Sequence, residues 1–239
     1  MNRMINSVKK IFDRKQHLIS HYVGRCTISE TDPQATMTQL VVNTVSGTPD
    51  IYSFDSSYIK GMSHITCDRS SRLKDSNCDG VLFVKTNDEV MHIVMAELKS
   101  SYPNASTLNV AYQQLIYTYL KYRALFSISK DGDIDAYSLN LVLACSCPTD
   151  NRDIEAAIMA DEEMDRLSGI PKPAKKDFLH GIFGDLYRSP GKRITLKFSD
   201  LNLFSGLTLN DSLSNKEFEL SLVTSTKANM SQATMTLNY

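Results

Sequence analysis

The chain of 239 residues is 42% hydrophobic and 22% charged, enough to bury a core without disulfide or metal support, which excludes disorder as its main state. No run of about 18 apolar residues occurs, which excludes a helical membrane span, and the first residues hold no apolar signal-peptide core, so a cytoplasmic protein is expected. The 26 basic and 27 acidic side chains leave a net charge of −1, which excludes a histone-like mode of nucleic-acid binding.

That sum conceals segregation. Residues 1–25 hold six bases against Asp13 alone, residues 150–165 hold seven acids against Arg152, and residues 171–197 hold seven bases against Asp177 and Asp185. Such blocks are most often solvated faces, and the basic ones are also the places where a polyanion would bind. The five cysteines (Cys26, Cys67, Cys78, Cys145, Cys147) are odd in number and irregularly spaced, which suits reduced thiols in a reducing compartment better than a disulfide framework.

Along the chain, Met4, Ile5, Val8, Ile11, Phe12, Leu18, Ile19 and Tyr22 recur at three and four and predict a helix over 2–23. Residues 36–45 and 51–54 are rich in β-branched and aromatic side chains and are expected to pair across the turn at 46–50. After a polar loop at 68–77, Asp79-Gly80 opens an apolar strand to Val84, and a turn leads into a second strand over 90–98. That strand is apolar almost throughout, as expected where both faces are covered. It ends in Glu97-Leu98-Lys99. Leu108, Ala111, Leu115, Tyr119, Tyr122 and Leu125 then set the period of a helix over 106–126, capped by Ser106 or Thr107. Residues 137–145 form another buried strand. Beyond Pro148 the pattern gives an acidic helix at 154–167, a Pro-Lys-Pro linker at 171–173, a short helix or turn at 177–187, and strands at 194–198, 217–223 and 234–237. This order of elements predicts an α/β mixed sheet between helices.

The chemistry-bearing pattern is an acid at the start of one strand and acid-x-Lys at the end of the next. In a tight antiparallel pair those two ends meet, so the Asp79 and Glu97 carboxylates converge, and Lys99 points to the same side as Glu97. Two clustered carboxylates make a hard oxygen site for Mg²⁺ or Mn²⁺, and a lysine beside them can orient or deprotonate an attacking water and stabilise charge on a phosphate. Taken singly, an Asp-Gly turn and a strand-end Glu-x-Lys pair are ordinary features; their succession is what points to phosphodiester hydrolysis.

Cys78-Asp79-Gly80 and Glu97-Leu98-Lys99 resemble the signature of the PD-(D/E)xK nuclease superfamily, the restriction-endonuclease-like fold, with cysteine where the signature has proline. Gln113 and Tyr117, four apart on the following helix, resemble the Gln-x-x-x-Tyr of its RecB-like branches. The resemblance covers roughly residues 1–147 and implies a nuclease core there, with 148–239 as a less regular C-terminal extension packed on it. It implies a metal-dependent nuclease, DNA before RNA, in a setting such as restriction, anti-phage defence or repair. The alternative is a catalytically silent module of that fold that binds nucleic acid or a partner protein. Asp79 and Glu97 would be metal ligands, Lys99 catalytic, and Gln113 and Tyr117 would hydrogen-bond the site. Relatives take a further acid from the N-terminal helix; Glu30 is the first choice here, then Asp13, Asp55 and His21. A homo-oligomer or partner protein is expected to supply specificity.

Three rival patterns carry less. Pro49-Asp50 spells the first letters of the signature but sits in a Gly-Thr-Pro turn. His17 and His21 are four apart without a third ligand; Cys145-x-Cys147 with Cys67 and Cys78 could make a tetrahedral zinc site, but free cysteine in a buried strand is the ordinary reading, and the four-cysteine pattern of an iron–sulfur cluster is not supplied. Arg188, Lys192 and Arg193 are the expected nucleic-acid contacts.

Overall fold

In the computed structural model, the described residues are 3, 5–6, 10, 19–45, 49–55, 77–86, 90–100, 105–128, 130, 132–147, 186, 191–201, 208–227 and 230–238, with the side chains of 105–109 excepted. Among them are ten strands: β1 (Ile19–Val23), β2 (Arg25–Ser29), β3 (Gln39–Thr44), β4 (Asp50–Phe54), β5 (Gly80–Lys85), β6 (Met91–Lys99), β7 (Ser138–Cys145), β8 (Arg193–Lys197), β9 (Glu217–Thr224) and β10 (Gln232–Leu237). Two helices are α1 (Ala105–Phe126) and the single turn α2 (Asp211–Ser214). No helix among these residues is long and apolar enough to cross a membrane.

Seven strands form one mixed sheet in the order β1-β4-β5-β6-β7-β9-β8, and β10-β3-β2 form a second. The antiparallel run β4–β5–β6 is followed by α1, which returns the chain so that β7 lies parallel to β6. The architecture is mixed α/β, as the order of elements predicts.

Strand periodicity divides the core in two. Ile93 and Met95 of β6, with Val81 and Phe83 of β5, join the cluster that contains α1. Val94, Ala96 and Leu98, with Leu82 and Val84, join the cluster under the small sheet. The seven-stranded sheet is thus a middle layer covered on both faces, which is why β5, β6 and β7 read as nearly continuous apolar runs. On α1, Tyr112, Leu115, Tyr119, Tyr122 and Phe126 are buried at helical spacing. Phe54, Phe83, Tyr122 and Phe126 form an aromatic group with ring centroids 5.0–6.0 Å apart, each ring contributing about 1.5–3 kcal/mol of burial.

Several sequence expectations change. Residues 19–23 are a strand, β1, not the end of a helix. Arg3, Ile5, Asn6 and Lys10 are helical, and the rest of the expected first helix lies outside the described residues. β3 and β4 do not pair with each other: β3 pairs with β2 and β10 in the small sheet, while β4 pairs with β1 and β5 in the large one. β8, β9 and β10 fall where strands were expected, and they are hydrogen-bonded into both sheets, so residues after 148 complete the layers that hold the first half. The acidic helix at 154–167, the linker at 171–173 and the segment at 177–187, apart from helical Leu186, lie outside the described residues.

Candidate metal centre

β5 and β6 pair with Gly80 opposite Ala96. One step further along that antiparallel register, Asp79 stands opposite Glu97. The Leu98 amide donates to Asp79 Oδ2 at 2.6 Å, which ties the aspartate to the partner strand just beyond the end of β5. Lys99 Nζ donates to Glu97 Oε1 at 2.5 Å and to Gln114 Oε1 at 3.2 Å. Asp79, Glu97 and Lys99 therefore meet as their spacing predicts.

Glu30 joins them from the small sheet. It follows β2, and its carboxyl is near enough to act electrostatically on both Asp79 and Glu97. Gly80 makes this approach possible, since a Cβ there would lie 2.4 Å from Ile28 Cγ2 and 2.7 Å from Ile28 Cγ1. Isoleucine is stiff at those atoms, so only glycine lets β2 lie this close to β5. Of the ranked fourth ligands, Glu30 is the one found against Asp79. His21 instead meets Asp50 at 2.7 Å and stacks on Tyr52; Asp55 is exposed beyond β4; Asp13 and His17 lie outside the described residues. Asp50 pairs opposite Lys85, at the other end of β5 from Asp79, which removes Pro49-Asp50 as a rival.

Glu97 is 2% exposed. Burial, reinforced by the Asp79 charge, pushes its carboxyl well above the ordinary range although Lys99 pulls the other way. Burial does the same to Asp79: the Leu98 amide opposes the shift, the Glu30 charge adds to it, and Lys99 relieves part of it. Glu97 Oε2 is buried and has no hydrogen-bond partner among the described residues. An orphaned carboxylate oxygen flanked by two further acids is a donor set that suits a hard divalent cation.

No group of three or more His, Cys, Asp or Glu side chains among the described residues forms a ready-made cage. Several carboxylate oxygens already have donors: Asp79 Oδ2 is held by Leu98, Glu97 Oε1 by Lys99, and Glu30 Oε1 by the amides of Thr31 and Asp32 at 2.6 and 2.9 Å.

On α1 the glutamine that reaches Lys99 is Gln114, whose Nε2 also donates to the Asn77 carbonyl at 3.1 Å. Gln113 and Tyr117 are half-buried on the same helix. Sequence reasoning passed over Gln114 because only Gln113 has a tyrosine four positions on, Thr118 standing there for Gln114, and adjacent helical residues point about 100° apart. Cys26, Cys78 and Cys145 are buried free thiols and Cys147 is half-buried. Burial pushes Cys26 up to about 11 and Cys145 up to about 12, so these are core thiols; Cys67 lies outside the described residues.

Of the expected nucleic-acid contacts, Arg193 opens edge strand β8, Lys192 precedes it, and Arg188 lies outside the described residues. Arg193 pairs with Glu219 at 3.2 Å across β8 and β9. β8 is three strands from β6, or about 14 Å at ordinary strand spacing.

Comparison with protein-family models, curated proteins and solved structures returns no match.

Proposed function

We propose that this chain is a divalent-cation-dependent nuclease that hydrolyses phosphodiester bonds, with DNA as its first substrate and the reducing cytoplasm as its setting. The observation that carries the reading is the buried Glu97, its Oε2 unpartnered, opposite Asp79 with Glu30 and Lys99 against it. The order β4–β5–β6, α1, parallel β7 supports it further, since it is the order expected of a restriction-endonuclease-like core.

Asp79 and Glu97, with Glu30, would hold Mg²⁺ or Mn²⁺, which when bound neutralises phosphate charge and lowers the pKa of water. Lys99, whose side chain is 20% exposed, can turn its ammonium from Glu97 toward a phosphate oxygen, while Gln114 limits where it goes. Glu97 is the base nearest Lys99. The arrangement contains no residue placed as a covalent nucleophile among the described side chains, so water is the attacking group in this reading.

The test is degradation of plasmid, single-stranded DNA and RNA by the purified protein with Mg²⁺ or Mn²⁺. Activity should vanish with chelator and in Asp79→Ala and Glu97→Ala, and should fall roughly 10²-fold or more in Lys99→Met, the scale of one positioned charge. Nucleic-acid binding without cleavage would instead identify a silent module of the same fold, and full activity in Glu97→Ala would move the site elsewhere.

A further inference from the structure

We propose that a polar stripe on α1, made by Gln114, Thr118 and Lys121, is the positioning rail of this centre, with buried Lys121 as its anchor. Asp79 lies outside the ladder: β5 begins at Gly80, and residues 77–79 have no strand pairing of their own. The Leu98 amide holds the Asp79 side chain, but the backbone that delivers it has no ladder bonds and must be held from elsewhere.

The three stripe residues are spaced four and three apart, which puts them on one helix face, and all three grip the two residues before Asp79. Gln114 Nε2 donates to the Asn77 carbonyl at 3.1 Å, and Lys121 Nζ donates to Asn77 Oδ1 at 2.7 Å. Thr118 Oγ1 accepts from the Cys78 amide at 2.8 Å and donates to the Gln114 carbonyl at 2.7 Å. The other end of the Gln114 amide accepts from Lys99. One helix face thus fixes both the backbone that delivers Asp79 and the ammonium beside Glu97.

Lys121 is only 6% exposed. A buried ammonium is costly unless it is paired, and an apolar side chain at this helix position would avoid that cost. Its hydrogen bond to Asn77 is the return on that burial: Asn77 is held from both its side chain and its carbonyl, so the two residues leading to Asp79 have little freedom. Lys121 and Thr118 are positioning residues, acting through Asn77 and Cys78.

Lys121→Met keeps the length and the apolar stem, and Thr118→Val keeps the volume while removing the hydroxyl. The first readout needs no metal: hydrogen-exchange protection of the Leu98 amide, which donates to Asp79, measured relative to the Val94 amide deeper in β6 to remove global stability. Protection at Leu98 should drop about 10-fold or more in each variant, as local opening becomes easier. The second readout is Mn²⁺ affinity by calorimetry, expected to weaken about 10- to 100-fold, as when an outer-shell partner of a metal site is lost. Asn77→Ala combined with Lys121→Met should be no worse than Lys121→Met alone, because both remove one contact.

Unchanged relative protection of Leu98 in the folded variants would overturn the proposal and make Lys121 a packing residue only. Should Lys121→Met fail to fold, Thr118→Val carries both readouts. The affinity arm rests on the metal-centre reading; if the native protein bound no Mn²⁺, that reading would fail while the Leu98 amide still decided the rail.

Discussion

Asp79 and Glu97 face each other across β5 and β6, and burial makes their ionised forms costly. Both carboxyls are raised in the folded protein, Asp79 to about 7 and Glu97 to about 8, so folding favours their protonated forms. The stability they contribute is full below the ordinary carboxylate pKa of about 4 and is lost as pH rises through the folded values. The cation-free protein should therefore melt at a lower temperature at pH 8.5 than at pH 5.5 by several degrees, about 2–4 °C per kcal/mol for a chain of this size. Glu97→Gln should flatten that slope, and Mn²⁺ should raise the melting temperature more at pH 8 than at pH 5.5. An equal slope in the native and Glu97→Gln proteins, followed calorimetrically in chelator, would contradict the account. Gly80→Ala is a second residue-scale test: the added methyl meets Ile28 below 3 Å, so it should cost about 1–3 kcal/mol by overpacking. By moving β2 and Glu30 away it should also weaken Mn²⁺ binding, which denaturant titration and calorimetry would separate. At this scale Asp79, Glu97 and Lys99 are legible in sequence because strand geometry alone brings them together. Glu30 is ranked there but not located, since its approach depends on a packing contact between two sheets.

α1 carries the element-scale prediction. Gln114 holds Lys99 and Asn77 together, so Gln114→Ala should lower kcat about 10- to 100-fold and more than Gln113→Ala does. Single-turnover rates at saturating metal would show the order, and the reverse order would restore the Gln-x-x-x-Tyr register. The strands β5, β6 and β7 are readable from their apolar runs, because both faces are buried and no competing period exists. β1 is not: Ile19 and Tyr22 continue a spacing of three and four from the residues before them, and only pairing with β4 makes 19–23 extended. β2 offers two buried positions, Cys26 and Ile28, between exposed neighbours, too short an alternation to stand out. Adjacent strands β3 and β4 are apolar in the same way yet belong to different layers, and hydrophobic pattern records burial without recording the partner.

On the scale of the whole molecule, the carboxylate cluster lies at one end of the middle layer, where the large sheet, α1 and the small sheet converge. The basic residues on β8 sit three strands from β6, which suits contact with a polyanion's backbone away from the reacting bond. Replacing Lys192 and Arg193 with glutamine should weaken nucleic-acid binding across sequences and flatten its salt dependence by up to about one unit per lost phosphate contact. Turnover at saturating substrate should stay near native. A filter-binding titration with an unchanged slope would return both residues to ordinary surface charge.

The small sheet that brings Glu30 to Asp79 is closed by β10, which lies parallel to β3 with Gln232 opposite Gln39 and Thr38 bonded to Ser231 across a separation of 193 positions. Translation at about 5–20 residues per second puts on the order of 10–40 s between the emergence of those two strands. Until β10 arrives, β3 has a bare edge and the apolar face beneath it lacks Ala233, Met235 and Leu237. The third carboxylate is thus seated late in synthesis. Closure by a distant strand makes the Glu30–Asp79–Glu97 cluster depend on residues made long after its own acids.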